Sequence, residues 1–208
     1  MNSTSFKKFI APLVAYITVG IGLLVCHNVW LAMLSYHAAM ALILLFSKSY
    51  INIRQGYQSK TFWIPVLLAL IGVGAGILLY LLWPYLDVPG DFRQYLRSVG
   101  LYGWTWPVFI VYASLINPLL EESYWRGYLG SSAKNITVND LLFAGYHLLV
   151  IGGNVRVIWL IAVFCGLAIA AWFWRQINRM NGGLLVSLIS HLTADAAVFL
   201  AIYYFAVR

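Results

Sequence analysis

Apolar residues run along this chain in long blocks, and polar residues are confined to short breaks between them. The blocks are Ile10–Val25, Trp30–Phe46, Phe62–Leu82, Trp106–Leu129, Asp140–Ile151, Val157–Trp174 and Gly183–Val207. A helix needs about 20 apolar residues to cross a bilayer, and it can do so because it satisfies its own backbone N–H and C=O groups. The blocks therefore predict transmembrane helices. Only Cys26, His27 and Asn28 separate the first two, which predicts a tight helical hairpin. The fifth block is short for a crossing and predicts a tilted or partly re-entrant helix covered by its neighbours. Between the third and fourth blocks, Phe92, Leu96 and Val99 recur at helical spacing, with Asp91, Arg93, Gln94 and Arg97 on the other side. That pattern fits a helix lying at the membrane interface, and an ordered loop over Asp87–Tyr102 is the equal alternative. The fold expectation is an all-α polytopic transmembrane bundle, with about seven spans and an interfacial helix, forming one integral membrane domain over residues 1–208.

Composition agrees with the pattern. The chain is 62% hydrophobic and 9% charged, with a mean hydropathy of +0.84, which excludes an ordinary soluble domain. The net charge of +7 would suit nucleic acid, but the 13 Lys and Arg are spread among short loops, as topology signals are in membrane proteins. With the N-terminus in the cytoplasm, Lys7, Lys8, Lys48, Arg54, Lys60, Lys134, Arg175 and Arg179 fall inside, and Arg93, Arg97, Arg156 and Arg208 fall outside. The balance favours that orientation. Lys7 and Lys8 before an apolar run resemble a signal-peptide start, but no small-residue cleavage site follows, so a retained first helix is expected. Cys26 and Cys165 are expected to be small buried hydrophobes without a disulfide. Gly72, Gly74 and Gly76 are expected to allow close helix contact.

Against this background the acidic residues stand out, because there are only six. Glu121 and Glu122 lie side by side in the fourth block, with Arg126 four residues past the second. His147 lies in the fifth block, and His191 and Asp195 lie in the seventh. Ionisable groups at membrane depth are costly unless paired, so each is a functional-site candidate. Counting along the helices at about 1.5 Å per residue puts Glu121, His147 and His191 roughly 10–14 Å from one membrane face. Glu122/Arg126 and His191/Asp195 are i,i+4 neighbours. Arg126 can neutralise one carboxylate and leave the other for proton chemistry, but spacing does not settle which one. Asp195 is positioned to orient His191. Taken singly, each group fits a structural role, as a packing ion pair or a hydrogen-bonded core histidine. Together, in so uncharged a chain, they point to catalysis or ligand binding. His27 is expected in a loop, and His37 in helix packing.

These motifs resemble the CPBP family of intramembrane proteases (CAAX protease and bacteriocin-processing, or Abi). The family pattern is a Glu pair followed by three residues and Arg, then Phe-x-x-x-His, then His-x-x-x-Asn or Asp. This chain has Glu121-Glu122-Ser-Tyr-Trp-Arg126, Phe143-Ala-Gly-Tyr-His147 and His191-Leu-Thr-Ala-Asp195. The stretch Arg179-Met-Asn-Gly-Gly is also similar. The likeness covers about Trp106 to Ala201, and the first three blocks carry none. It implies that Glu121 is the base activating water, with His147 assisting. It implies that His191 and Asp195 bind and polarise the scissile carbonyl, and that Glu122 and Arg126 position Glu121 and shape the pocket. One departure is Asp195, where the family's prenyl-protein proteases typically have Asn. Asn offers an N–H, whereas ionised Asp only accepts.

The expected function is intramembrane endopeptidase activity on a membrane-anchored, lipidated or precursor peptide. The alternatives are a non-proteolytic role in bacteriocin immunity or in partner or lipid binding, and acyl transfer on a lipidated substrate. No cofactor is expected. Zinc on the two Glu and two His is the alternative, but the spacing is not H-E-x-x-H, and Arg126 would oppose a cation. The expected partners are membrane lipid, a peptide or lipidated protein substrate and a further copy of the chain, without nucleic acid. The expected location is a bacterial or archaeal plasma membrane.

Overall fold

The computed structural model of the chain describes residues 10–47 and 56–207. Lys7, Lys8, Lys48, Arg54 and Arg208 lie outside the described residues. Among the described residues there are eight α-helices and no strands. Helix α1, Leu13–Gly20, runs on as a π turn over Ile21–Val25. Helix α2 is Val29–Phe46, and α3 is Trp63–Leu82, which ends in a 3-10 turn over Trp83–Tyr85. Helix α4 is Phe92–Ser98. Helix α5 is Thr105–Glu121, continued by wide π turns over Glu122–Tyr128. Helices α6, α7 and α8 are Val138–Ile151, Val157–Asn181 and Leu185–Val207. Four stretches are long and apolar enough to cross a membrane: α2, α3 with its 3-10 turn, α7 and α8.

Each apolar block coincides with a helix. The α1–α2 hairpin closes on Asn28, whose side chain accepts from the Leu31 amide at 2.9 Å and caps α2. Helix α6 is 14 residues long, or about 21 Å, less than the hydrocarbon thickness of a bilayer. The interfacial segment is a seven-residue helix set in an ordered loop. Leu96 and Val99 are buried, and Arg93, Gln94 and Arg97 face out. Arg93 Nε reaches the carbonyl of Ala206 at 2.8 Å and so caps the end of α8.

Helices α3 and α8 make the most extensive pairing in the bundle. A Cβ on Gly72 would fall 2.4 Å from the Ser190 carbonyl oxygen, and one on Gly76 would fall 2.4 Å from the Ala197 backbone. Only glycine lets these two backbones approach so closely. Gly74 faces away from this contact, with nothing within 4 Å of its Cβ position.

Two expectations are corrected here. The sixth block was expected to end at Trp174, but α7 runs on to Asn181 and stops at Gly182, whose φ of 80° is left-handed. Arg175, Gln176 and Arg179 look like loop residues by polarity, but side-chain and carbonyl partners keep them helical. The two cysteines are free and exposed, not buried. An apolar segment in a membrane bundle is not the same as a segment buried in protein, since one face of each helix is left for lipid.

Candidate functional site

Glu121 and Glu122 lie where α5 widens into π turns, and both are 0% exposed. The whole run from Glu121 to Arg126 is buried. In an α-helix, successive residues point about 100° apart, so such a run must be enclosed on every side. Here α2, α6, α7 and α8 enclose it. Tyr36, Trp125, Phe143, Tyr146 and Trp174 form an aromatic shell around the acids.

Glu121 is held by three donors from three helices. Its Oε1 accepts from the Tyr36 hydroxyl at 2.8 Å and also from the Tyr146 hydroxyl. Its Oε2 accepts from Asn117 Nδ2 at 3.1 Å, and His191 Nε2 lies 3.5 Å away. The Trp125 indole N–H donates to the Tyr36 oxygen at 2.8 Å and fixes that hydroxyl toward Glu121. A carboxylate with this many donors is fixed in place and paired, as burial requires.

Glu122 takes the arginine. Arg126 Nη1 lies 3.3 Å from Glu122 Oε1, and the Arg126 side chain is 3% exposed. The guanidinium sits 4.0 Å over the Phe143 ring and 5.0 Å from the Trp174 ring, in cation–π contact with both. His191 Nδ1 faces the same Glu122 oxygen at 3.0 Å, and the imidazole stacks on Trp174 at 4.7 Å. His191 was expected to be oriented by Asp195. Asp195 Oδ1 is 3.5 Å from Nε2, so the shorter contact to Glu122 and the Trp174 stack orient the ring. The Asp195 side chain is 19% exposed, and its Oδ2 accepts from Asn117 Nδ2 at 3.1 Å.

His147 does not touch Glu121 directly. Its Nδ1 is 2.8 Å from the Phe143 carbonyl, which can only accept, so Nδ1 carries the proton. Its Nε2 lies 3.2 Å from the Tyr146 hydroxyl, which also reaches Glu121. Tyr146 is thus the bridge between the two.

All six candidates from the sequence, Glu121, Glu122, Arg126, His147, His191 and Asp195, meet in one layer. Sequence reasoning missed Tyr36, Asn117 and Tyr146. It also assigned His37 to packing. His37 Nε2 is in fact 3.1 Å from Asn117 Oδ1, and Nδ1 is 2.9 Å from the Tyr112 hydroxyl, so the histidine belongs to the polar network. The one available signal was spacing. Asn117 lies one turn before Glu121, and Tyr146 is adjacent to His147.

A cleft of about 260 Å³ opens toward the loops beyond Arg126, lined by Arg126, Ser131, Arg175, Asn178, Arg179 and Leu184. Nearby, Tyr57 shares a hydrogen bond with Ser123, and burial raises its phenol above the ordinary pKa. Arg175 pairs with Asp140 through Nε at 3.1 Å and Nη2 at 2.7 Å, and also binds the carbonyls of Ala133 and Asn135. Asp140 closes a capping box with Thr137 at the start of α6. This second cluster fixes α6 against α7 and so sets the position of His147. Among the described residues, no group of three or more His, Cys, Asp or Glu could hold a metal ion.

A carboxylate supplied with donors, an imidazole in hydrogen-bond contact with a second carboxylate and a phenol–imidazole bridge are together equipped for proton transfer at a buried centre. Residues 103–197 match the family model described as Type II CAAX prenyl endopeptidase Rce1-like. No curated protein and no solved structure matches the chain.

Proposed function

The chain belongs to the CPBP family through its Rce1-like domain at residues 103–197, and from that premise we propose that it is an intramembrane endopeptidase whose base is Glu121. The chain is a multi-pass membrane protein. The observation that carries the reading is the buried Glu121 carboxylate, held by Tyr36, Tyr146 and Asn117 and facing His191.

In the proposed reaction Glu121 takes a proton from a water molecule as the water oxygen attacks the peptide carbonyl. The carbonyl π bond becomes an oxyanion. When the C–N bond breaks, the proton held on Glu121 goes to the leaving nitrogen, and the products are a carboxylic acid and an amine. With Nδ1 facing Glu122, His191 can present an N–H from Nε2 to the oxyanion when the ring carries both protons. Tyr146 lets His147 exchange a proton with the base without direct contact. Arg126 holds Glu122 as the counter-charge to His191. The reaction needs no metal in this scheme. The substrate is a membrane-anchored, lipidated or precursor peptide, reached from the cytoplasmic half of a plasma membrane with the N-terminus inside.

Purified protein is expected to cleave such a peptide, and a chelator is expected to leave the rate unchanged. Glu121→Ala and His147→Ala are each expected to abolish turnover while the protein stays folded by thermal melting. Full activity in both variants would end this reading, and zinc-reversible inhibition by the chelator would replace the metal-free scheme.

A further inference from the structure

We propose that Asn117 is a positioning residue of the catalytic centre: its amide ties Glu121 on α5 to Asp195 on α8, and His37 on α2 donates to the amide oxygen and anchors it. The inference rests on the endopeptidase reading and extends it to side chains outside the acid–histidine set.

The geometry assigns each hydrogen. Asn117 Nδ2 lies 3.1 Å from Glu121 Oε2 and 3.1 Å from Asp195 Oδ2. An amide nitrogen carries two hydrogens, and ionised carboxylates only accept, so each carboxylate takes one. Asp195 has no closer donor, since His191 Nε2 is 3.5 Å away. On the other side of the amide, Asn117 Oδ1 is 3.1 Å from His37 Nε2. A carbonyl oxygen accepts, so His37 donates from Nε2 and its Nδ1 accepts from the Tyr112 hydroxyl at 2.9 Å. A reversed amide would aim its oxygen at two carboxylates, and that contact would repel, so the carboxylates enforce the orientation and the His37 tautomer follows from it.

The need for such a tie follows from charge. Two acids from two helices converge on one dry layer, and Asp195 has no N–H of its own to offer. Without a donor between them they would repel, and Glu121 would lose the partner of Oε2, the oxygen that faces His191. Asn117 therefore sets both the separation of the acids and the direction of the base.

An exchange of the two side chains tests this. Asn117→Asp removes both N–H groups and adds a third acid, and kcat is expected to fall about 10²-fold with KM within about twofold of wild type. Asp195→Asn alone is expected to stay within about tenfold, since an amide in that position can still pair with Asn117. The double variant Asn117→Asp/Asp195→Asn restores one acid and one amide across the same gap. It is expected to recover the part of the loss that comes from the added acid, with KM unchanged, while the missing N–H on Glu121 keeps kcat below wild type. His37→Phe, which leaves the amide oxygen without its donor, is expected to lower kcat about tenfold. If Asn117→Asp does not fold, Asn117→Leu takes its place, and Asp195→Asn must then rescue it by donating to Glu121 from the other helix. Wild-type kcat in Asn117→Asp, or a double variant no better than the single one, overturns the role of Asn117 and leaves the protease reading standing. A wild-type protein that cleaves no membrane peptide overturns the protease reading, and the role of Asn117 with it.

Discussion

The two halves of the bundle solve different problems. Helices α1 to α3 contain no Asp, Glu, Lys or Arg, and they lie outside the Rce1-like match at residues 103–197. Helices α5 to α8 carry Glu121, Glu122, Arg126, Asp140, Arg175, Arg179 and Asp195. The charged half supplies acids and imidazoles. The uncharged half supplies neutral donors and close contacts: Tyr36 and His37 from α2, and Gly72 and Gly76 from α3. The chemistry sits in one half, but the other half sets its geometry. A neutral hydroxyl can hold a buried carboxylate without adding a second charge that needs its own partner, which is the economical choice in a low-dielectric layer.

That division can be broken in order of effect. Gly76→Leu drives a side chain into the Ala197 backbone, and the uncharged half should then fail to dock on α8. The expected cost is about 3 kcal/mol or more, with loss of folded protein in size-exclusion and melting assays. Gly74→Leu, two residues earlier and free of the contact, should fold normally. If both variants behave alike, α3 is not held by this approach. Asp140→Ala comes next. It leaves the Arg175 guanidinium buried without its carboxylate, and thermal or denaturant unfolding should show a loss of about 3–5 kcal/mol. A negligible change would mean that the carbonyls of Ala133 and Asn135 alone satisfy Arg175. The smallest effect is expected from Tyr36→Phe, which removes one donor from Glu121 and strands the Trp125 N–H. A cost of about 1–2 kcal/mol in the transition state corresponds to roughly a tenfold or somewhat larger fall in kcat. An unaltered rate would confine the site to the charged half.

The helices were legible in the sequence because a lipid-facing segment must be apolar along most of its length, and the polar breaks mark where that demand ends. The acids and histidines were legible for the complementary reason: charge is so costly at that depth that each one needs a role. Tyr36, Tyr146 and Asn117 were hidden by their ordinariness. The chain has 14 tyrosines, and nothing in their spacing shows which hydroxyl points at a carboxylate from another helix. Arg175 was misread as a loop cation because its partner, Asp140, lies 35 positions away and opens a helix of its own. The choice of Glu122 over Glu121 by Arg126 was likewise out of reach, since Glu121 is taken up by Tyr36, Tyr146 and Asn117, and two of those three donors come from other helices.

Those wide turns have a consequence for how the chain tolerates change in length. A stretch wound more loosely than its neighbours holds a surplus amino acid compared with a regular rod of equal height. Deleting Ser123 would let the coil tighten into that regular rod, and the helix beyond it would keep its bearing. Only the side chains inside the loosened stretch would turn, and Arg126 would stand three positions from Glu122 instead of four. A one-residue loss is absorbed within this segment, whereas the same loss in a regular stretch would rotate all that follows by about 100°.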